Sequence, residues 1–213
     1  MQTKHSQSGF TLVEIAIVLV IIGLLLGGIL KGQEMITQAR IKNVMNDFNG
    51  ITAAYFSYQD RYKAAPGDDS GAVTRWGTNF GAQNGNQDGT VGVAGSGYNG
   101  TPLTPAAVPN SSTTAIAAAS ENTNFWQHLR IAGFVAGPNQ GTGSTSQPLN
   151  AVNGQIGVQT QGLGLNGLIV CSANIPDKIA TAVDTQLDDQ GSSTGSLRGQ
   201  LQAGANPATG TAA

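Results

Sequence analysis

Hydrophobic and polar positions divide this chain into three zones. From Ile15 to Leu30 every residue is apolar or glycine, and the run reaches back to Phe10 if Thr11 and Glu14 are tolerated. At about 1.5 Å per helical residue, this stretch comes close to the ~30 Å hydrocarbon core of a bilayer. A transmembrane helix is predicted over 10–30. Beyond it, Ile41, Val44, Phe48, Ile51, Tyr55, Tyr58 and Tyr62 recur at alternating spacings of three and four, which is one apolar face of a helix. No proline interrupts before Pro66, so a single helix of roughly 80 Å is predicted from Phe10 to about Ala64. The aromatic group Tyr55, Phe56, Tyr58 and Tyr62 reads as core packing against a sheet rather than as a stacked path along a surface.

The third zone has no long period. Gly, Asn, Thr and Ala dominate from Gly67 to Ser120, with Pro102, Pro105 and Pro109, which predicts loops and short strands. ENTNFWQHLRIAGF, residues 121–134, reads as an amphipathic helix with Phe125, Leu129 and Ala132 or Gly133 on one side. GQIGVQT and LGLNGLIVC read as two strands. Asn174 is placed to cap a helix entered at Pro176, with Ile179, Ala180, Val183 and Leu187 inward and Gly191 at its end. SLRGQLQ alternates like a final strand, and the tail after it is expected to fray. The fold class is α+β: a long N-terminal helix, half transmembrane and half amphipathic, packed on a small Gly-rich, mostly antiparallel β domain with short helices.

Composition supports a polar head. Only 10% of residues are charged, against a usual ~25%, and glycine is roughly twice its usual share. A net charge of -2 with scattered Lys and Arg gives no electrostatic reason to expect nucleic acid. Cys171 is the single cysteine, so it makes no internal disulfide and no zinc site; it reads as a small buried apolar residue.

Candidate chemistry in the head is sparse. Asn84, Asn86 and Asp88 followed by Gly89 look like the first half of a calcium loop. Gly95 stands where the bidentate Glu belongs, and an Asn/Gly turn is favoured. His128 has no second ligand at helical spacing and reads as a packing or surface histidine. Asp184, Asp188 and Asp189 are open to two readings, a cation or a solvated helix end. No nucleophile–base or metal-ligand constellation emerges, so neither an enzyme nor a cofactor is expected.

Glu14 is the anomaly of the apolar run. A charge at the bilayer centre costs roughly 2.5–3.5 kcal/mol, less near an end, and such a residue is by default functional with a partner to be found. Gly23 and Gly27, then Gly28 and Gly32, give small-xxx-small spacings that let helices approach closely; the other reading is that glycine is simply common in membrane helices.

Gly9-Phe10-Thr11-Leu12-Val13-Glu14, after a short polar leader containing Lys4, resembles the type IV prepilin signature. The apolar run is too long for a cleaved secretory signal, and KGQEM rather than a small-residue cleavage site follows it. The resemblance implies that a prepilin peptidase cuts after Gly9 and methylates Phe10, leaving the helix in the mature chain. It divides the chain into a removed leader (1–9), a transmembrane and filament-core helix (10–30), its amphipathic continuation (31–65) and a periplasmic or extracellular head (66–213). A cytoplasmic leader follows from the resemblance alone, because Lys4 and the α-amine are matched by Lys31, Arg40 and Lys42 beyond the span.

The implied partners are copies of itself or other pilins, prepilin peptidase, an inner-membrane assembly platform, and the membrane before assembly. The implied location is the inner membrane for the precursor, then a periplasm-spanning or extracellular filament. Glu14 of one subunit would then meet the freed Phe10 amine of its neighbour, whose unperturbed pKa is about 7.7–8.0. Many members of the family carry a helix-breaking proline at the position of Lys31, and this chain does not. YKAAPGDD, ENTNFWQHLRIAGF and DTQLDDQGSSTGSLRG are similar to a prepilin-type subgroup with no assigned activity. Within the family, a major pilin is favoured over a minor pilin or a pseudopilin of type II secretion or competence. A rival of another class, a membrane-anchored binding module, requires the GFTLVE match to be accidental.

Overall fold

A computed structural model describes residues 11–77, 80–92, 121–162, 165–191 and 193–199. Gly9, Phe10, the expected loops over 93–120, the end of the expected strand SLRGQLQ (200–202) and the expected frayed tail after it lie outside the described residues. The fold is α+β, a long N-terminal helix followed by a small antiparallel sheet and short helices. In chain order it runs α1 (Leu12–Tyr62), α2 (Ala72–Trp76), α3 (Glu121–Ile131), a 3-10 turn (Thr142–Thr145), β1 (Ile156–Gly162), β2 (Leu165–Ser172) and α4 (Asp177–Leu187). The chain divides between Ala39 and Arg40 into two compact units.

The first unit holds the apolar part of α1. It is long and apolar enough to cross a membrane, and none of its most apolar window is buried within the chain.

In the second unit, the remainder of α1 contributes the expected apolar face. Ile41, Val44, Ile51 and Tyr58 are buried, and Phe48, Tyr55 and Tyr62 are half-buried. Phe56 departs from the expectation. It is 60% exposed, because one residue beyond Tyr55 is about 100° around the helix and off the buried stripe. Two clusters form. Ile51, Ala54 and Tyr58 meet Val91, Phe125, Trp126, Leu129, Ile156 and Val158. Ile41 and Val44 meet Ile179 and Val183 of α4.

β1 and β2 pair antiparallel, with Ile156 opposite Ser172 and Val158 opposite Val170, and the register slips between Thr160 and Gly162. Val91 extends this layer, donating its N–H to Thr160 Oγ1 at 2.6 Å while its carbonyl accepts the Thr160 N–H at 3.2 Å. Cys171 is buried, as expected, and burial pushes its thiol up to about 12.

Three local expectations are corrected. Asn174 is not the N-cap residue of α4: Pro176 holds that position, and Asn174 adopts a positive φ of 56° two residues earlier. Leu187 is exposed and Ala180 only half-buried; Ala182 packs on the second cluster instead. Ser196–Gly199 is not a strand, since the Ser196 and Leu197 N–H groups are taken by Asp188. The short helix α2 replaces part of the expected loop after Gly67.

Candidate functional site: the N-terminal helix and its signal

The start of α1 is a capping box. Thr11 donates its backbone N–H and its hydroxyl to Glu14 Oε2 at 2.8 and 2.9 Å, and accepts the Glu14 N–H on Oγ1 at 3.3 Å. A helix leaves its first four N–H groups without partners. The spacing Thr-x-x-Glu satisfies two of those donors reciprocally. Glu14 is therefore not without a partner in the single chain, as its position in the apolar run had suggested. Both bonds from Thr11 land on Oε2, and Glu14 is otherwise exposed.

Behind this cap the helix presents apolar surface on all sides. Leu12 is 91% exposed, and Val13, Leu19, Val20, Leu24, Leu25 and Leu30 are each well over half exposed. A Cβ built on Gly23, Gly27, Gly28 or Gly32 would touch nothing within 4 Å. Interior helical glycines cost about 1 kcal/mol each relative to alanine. Nothing within the described chain is packed against them, which fits both readings, close approach by another helix and the ordinary frequency of glycine in membrane helices. Lys31, where a proline would interrupt the helix, instead pairs with Glu34 at 2.8 Å on the exposed face.

Residues 4–30 match the prokaryotic N-terminal methylation motif, the class III signal of type IV pilins. The match lies within the first 30 residues. No curated protein and no solved structure matches the chain. The matched stretch covers Gly9, Phe10 and Glu14 together with the apolar run, and an apolar helix near the N-terminus is consistent with a membrane-anchored precursor. Of the residues expected to act, Glu14 is brought to Thr11, which was not among them. The capping box was legible in the sequence as Thr followed three residues later by Glu.

The head places its polar residues in structural roles. Asn84 turns away from the expected calcium half-loop, its Oδ1 accepting the Val73 N–H at 2.7 Å and capping the start of α2. Asn86 and Asp88 close short turns, with Asp88 Oδ1 accepting both N–H and hydroxyl of Thr90. Those Thr90 bonds hold the Asp88 carboxyl below its usual range.

Asp88 instead joins Asp68 and Glu121, one oxygen of each lying within 4.8 Å of the others. These oxygens suit a hard cation, but both buried carboxylates are already engaged. Asp68 accepts the N–H groups of Asp88 and Gly89 at 3.1 and 2.9 Å. Glu121 accepts those of Asn86 and Gly92 at 2.8 and 3.3 Å. Burial, with Asp68 and Asp88 nearby, raises the Glu121 carboxyl. The cluster staples the 86–92 loop onto α3. Sequence spacing could not group these acids, which are far apart in the chain.

His128 is a packing histidine. It is fully buried, with Nδ1 accepting the Gly67 N–H at 2.9 Å and Nε2 lying 2.7 Å from the Gln83 carbonyl. That pairing requires the neutral tautomer protonated on Nε2, and burial lowers its pKa. Beside it, Asp69 Oδ2 accepts the Tyr58 hydroxyl at 2.6 Å and pairs with Arg75 at 2.7 Å. The Arg75 guanidinium also lies over the rings of Tyr62 and Trp76.

Proposed function

We propose that this protein is a structural subunit of a type IV pilus-like filament, cut after Gly9, methylated on Phe10 and polymerised through α1. The observation that carries the reading is the methylation motif at residues 4–30 running directly into a helix whose apolar surface has no partner among the described residues. Lipid covers such a surface in the precursor; in a polymer, neighbouring helices cover it. Glu14 then acts as a register device, because its carboxylate and the new amine of an adjoining Phe10 are costly apart and compensated together in a low-dielectric core. The protein's own chemistry is that of a substrate of the peptidase rather than of a catalyst.

A surface filament is preferred over the secretion or DNA-uptake pseudopilin because a weakly charged polar head suits a coat exposed to water. The test is co-expression with a prepilin peptidase, followed by intact-mass analysis and shearing of cells. A chain lacking residues 1–9 and carrying one methyl group on Phe10, abundant in sheared filaments, is the expected result. Processed protein that stays in the membrane fraction would point to the pseudopilin role, and an unprocessed chain would refute the family of readings.

A further inference from the structure

Three carboxylates converge at the C-terminal end of α4. One oxygen each from Asp184, Asp188 and Asp189 lies within 4.8 Å of the others. The place is electrostatically adverse. A helix C-terminus carries about half a negative charge, and α4 has no basic residue in its last turn.

Two of the three acids have donors. Asp188 Oδ2 accepts the N–H groups of Ser196 and Leu197 at 2.6 and 2.7 Å. Asp189 accepts the Gly191 N–H at 2.9 Å and the Thr194 hydroxyl at 2.8 Å, with Arg198 contributing positive charge nearby. These bonds fold the 188–197 loop back over the end of the helix, which seats Leu197 against the second apolar cluster.

Asp184 is different. It is only 8% exposed, and its Oδ1 is buried without any hydrogen-bond partner among the described residues. Buried carboxylate oxygens are otherwise met by donors or by a metal. The convergence of three acids and the orphaned oxygen of the most buried one are separate observations on the same carboxylate group.

We propose that Asp184, Asp188 and Asp189 form a binding site for a calcium ion. All three side chains offer oxygen only, which suits hard cations rather than zinc or copper. Calcium tolerates irregular, partly loop-built oxygen shells, whereas magnesium demands near-ideal octahedral geometry. The bound ion would offset the helix-end charge and tie the 188–197 loop to α4. This inference does not depend on the filament reading.

The experiment uses the full chain in detergent micelles, stripped with EDTA and titrated with calcium chloride by calorimetry, with melting followed by circular dichroism. One saturable site with Kd on the order of 10⁻⁴–10⁻³ M, and a higher Tm with calcium, are expected. Asp184→Asn keeps the shape of the side chain; it should weaken binding at least tenfold, abolish the calcium-dependent rise in Tm, and melt no lower than the parent chain in EDTA. Should that variant misfold, Asp189→Asn, at an exposed position, is read in the same way. Asp88→Asn, in the other acidic cluster, should leave binding unchanged. Absence of saturable binding up to about 10 mM, a calcium response that survives the Asp184 or Asp189 substitution, or one removed by Asp88→Asn would overturn the proposal.

Discussion

Thr11 and Glu14 cap each other: Glu14 Oε2 accepts the Thr11 N–H at 2.8 Å while Thr11 Oγ1 accepts the Glu14 N–H at 3.3 Å. The same carboxylate therefore carries two roles that substitution can separate. Glutamine also serves at this position of a capping box, so Glu14→Gln keeps the cap and removes the charge. We expect Glu14→Gln to lower the yield of sheared filaments at least tenfold with helix content unchanged. Thr11→Ala, which removes a cap worth about 1 kcal/mol, should fray the first turn and still allow assembly. Normal filament yield from Glu14→Gln would leave the cap as the residue's whole purpose.

Gly23 and Gly27 give a second separation. Alanine there meets no atom of the chain and favours the helix by about 1 kcal/mol per site. Gly27→Leu should leave helicity and membrane insertion unchanged, yet reduce filament yield if neighbouring helices approach on this face. Electron microscopy of sheared material, beside circular dichroism of the micellar protein, reads both quantities.

The Asp69–Arg75 pair is buried on the acid side, with only 3% of the Asp69 side chain exposed against 30% for Arg75. Arg75→Ala strands the carboxylate, and breaking such pairs from one side costs about 3–5 kcal/mol. The partial exposure of Arg75 moves the expectation to the lower end. Tyr58→Phe removes a single hydrogen bond to the same oxygen and should cost about 1.5–3 kcal/mol, the range for bonds to charged groups. Burial alone would raise Asp69, but Arg75, Tyr58 and the Gly71 N–H hold it below its ordinary 3.8. The stability it contributes is thus present above pH 3.8 and lost as pH falls through the lower folded value. Thermal melts of the head across this acid range measure it.

His128 predicts a second pH effect at higher pH. Burial lowers its pKa from 6.5, so the unfolded chain binds the proton more readily than the folded one. Stability is complete above pH 6.5 and declines as pH falls from there toward the folded value. Protonation would also turn Nδ1 from acceptor to donor, facing the Gly67 N–H that now donates to it. His128→Gln should flatten the Tm profile between pH 7 and 5, at a lower plateau because the ring packing is lost. An unchanged profile would place the titrating group elsewhere.

Gly67 should be far less replaceable than Gly133, although both have positive φ, 90° and 81°. A Cβ on Gly67 would stand 2.5 Å from the Glu121 carbonyl oxygen, whereas one on Gly133 meets nothing within 4 Å. Gly133→Ala should cost about 1–2 kcal/mol from the left-handed backbone alone. Gly67→Ala should exceed it clearly, because backbone of α3 must also shift. Denaturation of the two variants in parallel makes the comparison.

Much of this molecule was legible along the chain. The apolar run, the three–four stripe to Tyr62, α3 and the β1–β2 pair were all visible because each repeats at the period of its own secondary structure. Boundary and facing errors arose where tertiary contacts decide. Leu187 fits the helical period but lies beyond the patch that Ile41 and Val44 cover. Ser196 and Leu197 alternate like a strand, yet Asp188 takes their N–H groups.

The N-terminal motif, the apolar helix behind it and the placement of Glu14 within the apolar run were determined by sequence alone, since short motifs and membrane partition depend on contiguous residues. Only the folded head decided which acids meet, that Glu121 rather than a residue near Asp88 completes that cluster, and that Gly67 leans on His128 across the fold. The physical reason is range. Periodicity encodes how a segment sits on its own neighbours, while a buried carboxylate or imidazole is defined by donors that arrive from distant parts of the chain.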